Sequence, residues 1–161
     1  MLSKSEFLEL AEEYQVIPIV QSVFSGTETP VSIFDKLASS SPGSFLLESA
    51  EQGVWSRYSF IGVRNFGFLT SGNGLLSWKS SDGVRPFPLE TVSFDGLSDL
   101  EGLALIQKSW KAAPVEGLPP LVSGLVGLLG WDTVHQIERL AARKPKEMPI
   151  PDLAMAVIRD L

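Results

Sequence analysis

The stretch SFLLESAEQGVWSRYSFIG, Ser44 to Gly62, decides how the chain is read. Its apolar run Phe45-Leu46-Leu47 breaks at Glu48-Ser49, a turn signal falls at Gln52-Gly53, and the chain returns through Arg57 to a second apolar pair. Two short β-rich runs around a Gly-containing turn read as a hairpin. Further turn signals at Ser71-Gly72-Asn73-Gly74 and Asp82-Gly83 extend the pattern to consecutive antiparallel strands from Ser44 to Pro88.

The register of the first hairpin stays open in the sequence. A two-residue loop at Gln52-Gly53 sets Glu48 opposite Arg57 and Ser49 opposite Ser56, whereas a three-residue loop pairs Leu47 with Arg57. In the first case Glu48 and Arg57 form a cross-strand ion pair of roughly 0.2–1 kcal/mol. Alternation puts Phe45, Leu47 and Ser49 on one face and Leu46 and Glu48 on the other. With the first face toward the core, Ser49 lies at the rim, where a hydroxyl needs a partner. A hydroxyl, a carboxylate and a guanidinium beside an apolar rim also match an amino-acid ligand: ammonium to Glu48, carboxylate to Arg57 or Ser49, side chain to the core edge.

Working outward, Ser3-x-x-Glu6 is a capping box that opens a short amphipathic helix ending near Tyr14. The β-branched VIPIVQSVF, residues 16–24, reads as a strand, with Pro18 suited to an edge. Thr29-Pro30 starts a second helix. Ser98-x-x-Glu101 opens a third, whose Leu103, Ile106 and Trp110 share a face. APVEGLPP is a loop. LVSGLVGLLGW, residues 121–131, reads as a strand packed on both faces, and DTVHQIERLAARK as a helix capped by Asp132. LAMAVIRDL, residues 153–161, is a final strand on which the sequence stops, so the chain is expected to be a portion of something longer.

The totals exclude several classes. With 161 residues, 44% of them hydrophobic, the chain can build a real core. A net charge of −6 without clustered Lys and Arg argues against nucleic-acid binding. The absence of cysteine removes disulfides, thiolate metal sites and cysteine nucleophiles, and fits a cytoplasmic protein. The glutamate-rich N-terminus lacks the order of a signal peptide. The run from Leu121 to Trp131, the longest nearly apolar one, falls short of the ~20 residues of a membrane helix.

No catalytic constellation is visible. His135, the one histidine, has Asp132, Glu138 and Arg139 at helical spacing and reads as a surface or rim residue, short of a metal site. Gly124, Gly127 and Gly130 lack the Lys-Ser/Thr of a phosphate loop and read as glycines that allow close sheet packing. Trp55, Trp110 and Trp131 read as core or interface aromatics.

Four segments, TETPVSIFDKLA, FLLESAEQGVWSRYSFIG, GLVGLLGWDTVHQIERL and PDLAMAVIRDL, together resemble the N-terminal region of the anthranilate synthase component I family, from about Pro18 to Leu161. The resemblance implies an α+β fold with antiparallel sheets in a sandwich and helices outside. It makes residues 1–161 a regulatory domain that ends before the chorismate-binding domain. Members convert chorismate to anthranilate and pyruvate with ammonia from a glutamine amidotransferase partner and Mg2+ on the substrate. They are inhibited by L-tryptophan, in a pocket onto which Leu47, Glu48, Ser49 and Arg57 map. This chain departs from the family at Val20-Gln21, where members often have Tyr-Arg, and at Leu128 or Trp131, where a Tyr is common. The chorismate and Mg2+ motifs of the family are not in these residues, so the 161-residue chain alone is expected to be inactive. The large subunit of aminodeoxychorismate synthase, or a free-standing binding domain, are the alternative readings.

Overall fold

The computed structural model describes residues 2–49, 58–72, 75–81, 83, 94–141 and 148–161. In chain order these form α1 (Lys4–Glu13), α2 (Pro30–Leu37), β1 (Phe45–Leu47), β2 (Phe60–Gly62), β3 (Arg64–Gly72), β4 (Leu75–Ser80), α3 (Asp99–Ser109), β5 (Leu125–Leu129), a 3₁₀ helix (Trp131–Gln136) and β6 (Leu153–Asp160). The class is α+β, with one sheet of order β1-β2 and another of order β4-β3-β6-β5. The chain divides into two compact units, Met1–Asn65 with Lys111–Gly124 and Ile158–Leu161, and Phe66–Trp110 with Leu125–Val157.

All three α-helices start where the sequence places a cap. The Ser3 hydroxyl accepts from the Glu6 N–H at 3.3 Å while the Glu6 carboxylate accepts from the Ser3 N–H at 2.7 Å. Thr29 and Ser32 repeat the exchange in α2, and Ser98 and Glu101 in α3. Each exchange satisfies N–H groups that a helix start leaves without intrahelical partners. The bonds from Ser3 hold the Glu6 carboxyl below its usual range, and those from Ser98 do the same for Glu101.

In the first unit, α1 ends at Tyr14 and the chain is tied to Lys111–Ala113. The Lys111 carbonyl accepts from the N–H groups of Gln15 and Val16 at 3.0 and 3.1 Å, and Ala113 N–H donates to the Val16 carbonyl at 2.8 Å. Here the expected strand over residues 16–24 is corrected: among the described residues its pairing is one parallel bridge, Val16 with Ala112. Pro18 brings no N–H to a ladder, and β-branched composition does not supply a neighbouring strand. Ile19, Val20, Val23 and Phe24 are accordingly exposed. Lys111 also reaches Glu13 at 2.9 Å and lies 4.9 Å above the Tyr14 ring.

The second unit holds the main core. Leu69, Ile106, Leu153 and Val157 are fully buried, with Leu103 and Trp110 packed against them, so the helix face expected for α3 is the face it uses. β3 and β4 pair antiparallel from Gly67–Ser80 to Gly72–Leu75; the turn signal at Asn73-Gly74 and the residue Asp82 lie outside the described residues. β6 carries the most buried run, between β3 and β5.

Two expectations for residues 121–141 are corrected; the end of the expected helix, residues 142–144, lies outside the described residues. The strand is β5, at the edge of its sheet and increasingly exposed from Gly127 to Leu129, instead of buried on both faces. The segment after it is a 3₁₀ helix entered from an extended Gly130 with no side-chain cap, so Asp132 does not cap an α-helix. An amphipathic helix forms when its apolar stripe is buried, and Ile137 and Leu140 are exposed here. Trp131, 89% exposed, is no core aromatic of this unit, whereas Trp110 is packed on the core.

The buried polar residues of this unit are joined through the 3₁₀ helix. Asp152 N–H donates to the Ser71 carbonyl at 3.1 Å. The Asp152 carbonyl accepts from Gly130 N–H at 2.7 Å and from the Thr133 hydroxyl at 3.3 Å. Gln136 then spans to α3, donating to the Asp99 carboxylate at 3.1 Å and accepting from Leu100 N–H at 3.2 Å. Burial makes such contacts costly to lose, since each would leave a desolvated polar group behind.

The close-packing reading holds at Gly127, where a Cβ would lie 2.0 Å from the Ala154 carbonyl oxygen, and at Gly130, where it would lie 3.1 Å from that of Asp152; it is corrected at Gly124, where a Cβ would meet nothing within 4 Å. At Gly102 the obstacle is the tip of the Leu76 side chain, which can rotate away. Gly127→Ala is therefore expected to destabilise by about 1–3 kcal/mol, and Gly102→Ala by less, in urea unfolding. Equal costs would contradict the packing described. In the first unit the hydrogen bond from the Lys111 ammonium holds the Glu13 carboxyl below its usual range. A depressed carboxyl stabilises above its unfolded pKa, and the contribution fades as pH falls through the folded value. Lys111→Met should raise the Glu13 carboxyl toward the usual carboxylate range in an NMR titration.

Candidate functional site

The residues singled out at the end of β1 lie in the first unit. α2 packs against β1, reached by a turn in which Ser44 N–H donates to the Ser41 carbonyl at 3.1 Å and Gly43 takes a positive φ of 75°. β1 then pairs antiparallel with β2: Phe45 with Gly62, Leu46 with Ile61 and Leu47 with Phe60.

This ladder overturns both loop registers considered from the sequence. The ladder ends at Leu47–Phe60, two residues out of phase with the two-residue loop; Ser56 and Arg57 themselves lie outside the described residues. Leu47 pairs with Phe60 and not with Arg57. The reason lies at the other end of the ladder. A Cβ on Gly62 would sit 2.1 Å from the Phe45 ring, so the ring occupies space that only glycine leaves open. The two-residue-loop register would instead confront Phe45 with Phe60. An aromatic ring covering a glycine across a strand pair is a recognised way of pinning register.

Opposite residues in an antiparallel pair share a face. Leu47 and Phe60 are thus on one face, and Leu46 and Ile61 on the other. The Tyr58 ring joins Phe60, with ring centroids 6.1 Å apart at 41°. Leu47 is 45% exposed and Tyr58 43% exposed, and Glu48 and Ser49 are exposed as well. The core-facing orientation expected for Leu47 therefore gives way to an open apolar and aromatic surface beside a carboxylate and a hydroxyl. Tyr58 is the residue missed in the sequence. The signal was the spacing of Tyr58 and Phe60, which places two aromatic rings on one strand face. Arg57 lies outside the described residues, as do Trp55 and the Gln52-Gly53 turn.

The remaining polar features lie elsewhere. An open groove of about 330 Å³ runs along α1, lined by Leu2, Glu6, Glu9, Leu10, Glu13 and Tyr14. His135 is half-buried on the 3₁₀ helix, and among the described residues no group of three or more His, Cys, Asp or Glu could hold a metal ion. No described helix is long and apolar enough to cross a membrane.

The register can be tested directly. Gly62→Val forces the Phe45 ring out of its place and should destabilise the β1–β2 pair by about 1–3 kcal/mol, seen as faster amide exchange at Leu47 and Phe60. Unchanged exchange would show that the ring does not set the register.

No family model matches the chain. It does have curated relatives. Anthranilate synthase component 1 of Arthrobacter globiformis is 38% identical over 157 residues, covering 97% of this chain and 28% of the relative. The protein of that name from Mycolicibacterium smegmatis is 37% identical over 160 residues, covering 99% of this chain and 29% of the relative. That of Pseudomonas aeruginosa is 35% identical, covering 97% and 31%. The chain spans about 30% of the length of these relatives. Over nearly its whole length it is therefore similar to one portion of anthranilate synthase component 1, a match that fits the N-terminal region.

Proposed function

We propose that these residues are the N-terminal, regulatory portion of a lyase that converts chorismate and ammonia to anthranilate and pyruvate in tryptophan biosynthesis. The observation that carries this reading is the similarity to anthranilate synthase component 1 over 97–99% of the chain. A glutamine amidotransferase subunit is the partner that would supply ammonia. Chorismate and Mg2+ would bind in the part of the protein beyond this portion, and the 161 residues alone would not turn chorismate over.

In this reading Leu47, Glu48 and Ser49, with Arg57, take L-tryptophan. The exposed Leu47 side chain and the Tyr58–Phe60 rings give an indole an apolar surface. The Glu48 carboxylate suits the ammonium of the ligand, and the Ser49 hydroxyl and the Arg57 guanidinium suit its carboxylate. Binding inhibits by population shift: tryptophan stabilises an arrangement poor in catalysis, to the extent that it binds that arrangement more tightly than the active one. Couplings of this type amount to roughly 5–150-fold in affinity.

The test uses the full-length gene product with chorismate, Mg2+ and ammonia, followed by anthranilate fluorescence. Wild type should form anthranilate and be suppressed by L-tryptophan. Ser49→Phe should keep its turnover while needing roughly 5–150-fold more tryptophan for half-inhibition. A Ser49→Phe variant as sensitive as wild type would remove the site, and a different chorismate product would remove the assigned reaction.

A further inference from the structure

We propose that the outer edge of β5 is a strand-addition interface, occupied by an extended apolar segment from the part of the polypeptide beyond these 161 residues. The inference rests on reading the chain as one portion of a longer protein, which its curated relatives, more than three times its length, support.

β5 ends the sheet order, with β6 on its inner side. Ile158 N–H donates to the Gly124 carbonyl at 2.9 Å, and Gly130 N–H to the Asp152 carbonyl at 2.7 Å. These bonds fix the phase of the ladder: residues at even positions from 124 to 130 direct their backbone groups to β6. In antiparallel pairing the alternate residues face the other way. The N–H and C=O groups of Leu125, Gly127 and Leu129 therefore point away from β6, to an edge that no strand covers among the described residues.

Proteins blunt an open edge with charge, proline, a bulge or a covering element. β5 has no charged residue or proline, and neither does the whole run from Leu121 to Trp131. β4, at the opposite edge, carries Lys79 with Ser77 and Ser80. Leu128 and Leu129, which alternation sends to opposite faces, are both exposed, and Trp131 just beyond them is 89% exposed. An edge with apolar side chains on both faces suits a neighbour that is itself apolar on both faces, a buried strand. Main-chain hydrogen bonds then give affinity and the flanking leucines give selectivity. A second copy is the poorer occupant, because a net charge of −6 on each chain opposes self-association.

Hydrogen exchange on the full-length gene product tests this at single amides. Gly127 and Leu129 should exchange at least ~100-fold more slowly than unprotected amides, at every protein concentration. Leu129→Pro removes an outward N–H without removing a bond to β6, so it should destabilise the full-length protein and raise exchange at Gly127. Exchange at the unprotected rate would overturn the proposal, as would protection lost on dilution together with a dimer-to-monomer change in sedimentation. Chorismate turnover in the same preparation separates this inference from the functional reading. Protected amides without turnover sink the assigned reaction and keep the interface, and turnover with unprotected amides does the reverse.

Discussion

A phenyl ring lying where a glycine has no side chain decides how the first hairpin is assembled. Because the Phe45 ring fills the space above Gly62, β1 and β2 meet with Phe45 opposite Gly62, Leu46 opposite Ile61 and Leu47 opposite Phe60. The Tyr58 ring lies beside Phe60, and Glu48 and Ser49 are exposed just past the end of β1. The Glu48–Arg57 pair imagined from the sequence would have been a modest structural contact. Just past β1 the chain presents a carboxylate and a hydroxyl next to an exposed aliphatic and aromatic surface.

What could be foreseen from the sequence was local. The two capping boxes and the Thr29-Pro30 start depend on residues within three positions of each other, and each helix starts where its signal stands. The apolar face of α3 follows from helical spacing, and Leu103, Ile106 and Trp110 all pack as that spacing requires. What failed depended on neighbours. Residues 16–24 have strand composition, but a strand needs a partner on at least one side, and the pairing seen there is one bridge at Val16. The apolar run around β5 looked buried because hydrophobicity does not say which strand is the edge. The segment after Gly130 has helix-forming residues, yet its structure is a 3₁₀ turn whose Thr133 and Gln136 side chains bond to the Asp152 carbonyl and the Asp99 carboxylate.

The site shows the same division. Leu47, Glu48 and Ser49 stand out as candidates because an apolar run that stops abruptly at a carboxylate and a hydroxyl is a local pattern, and all three are exposed at the end of β1. Their register was not legible, since it is set by an aromatic–glycine contact 17 positions apart in the chain. Tyr58 was overlooked for a related reason: its place beside Leu47 emerges only once Phe60 is known to lie opposite Leu47. The second unit contributes stiffness of another kind, through Ser71, Asp99, Thr133 and Asp152, whose hydrogen bonds connect sheet, 3₁₀ helix and α3.

The central claim is that this hairpin end receives L-tryptophan. A crystal structure of the full-length gene product grown with L-tryptophan tests it most directly. The account predicts the ligand with its ammonium at the Glu48 carboxylate, its carboxylate near the Ser49 hydroxyl, and its indole against Leu47 and the Tyr58–Phe60 rings. Tryptophan bound at another place, or a hairpin end left bare at saturating tryptophan, would contradict it.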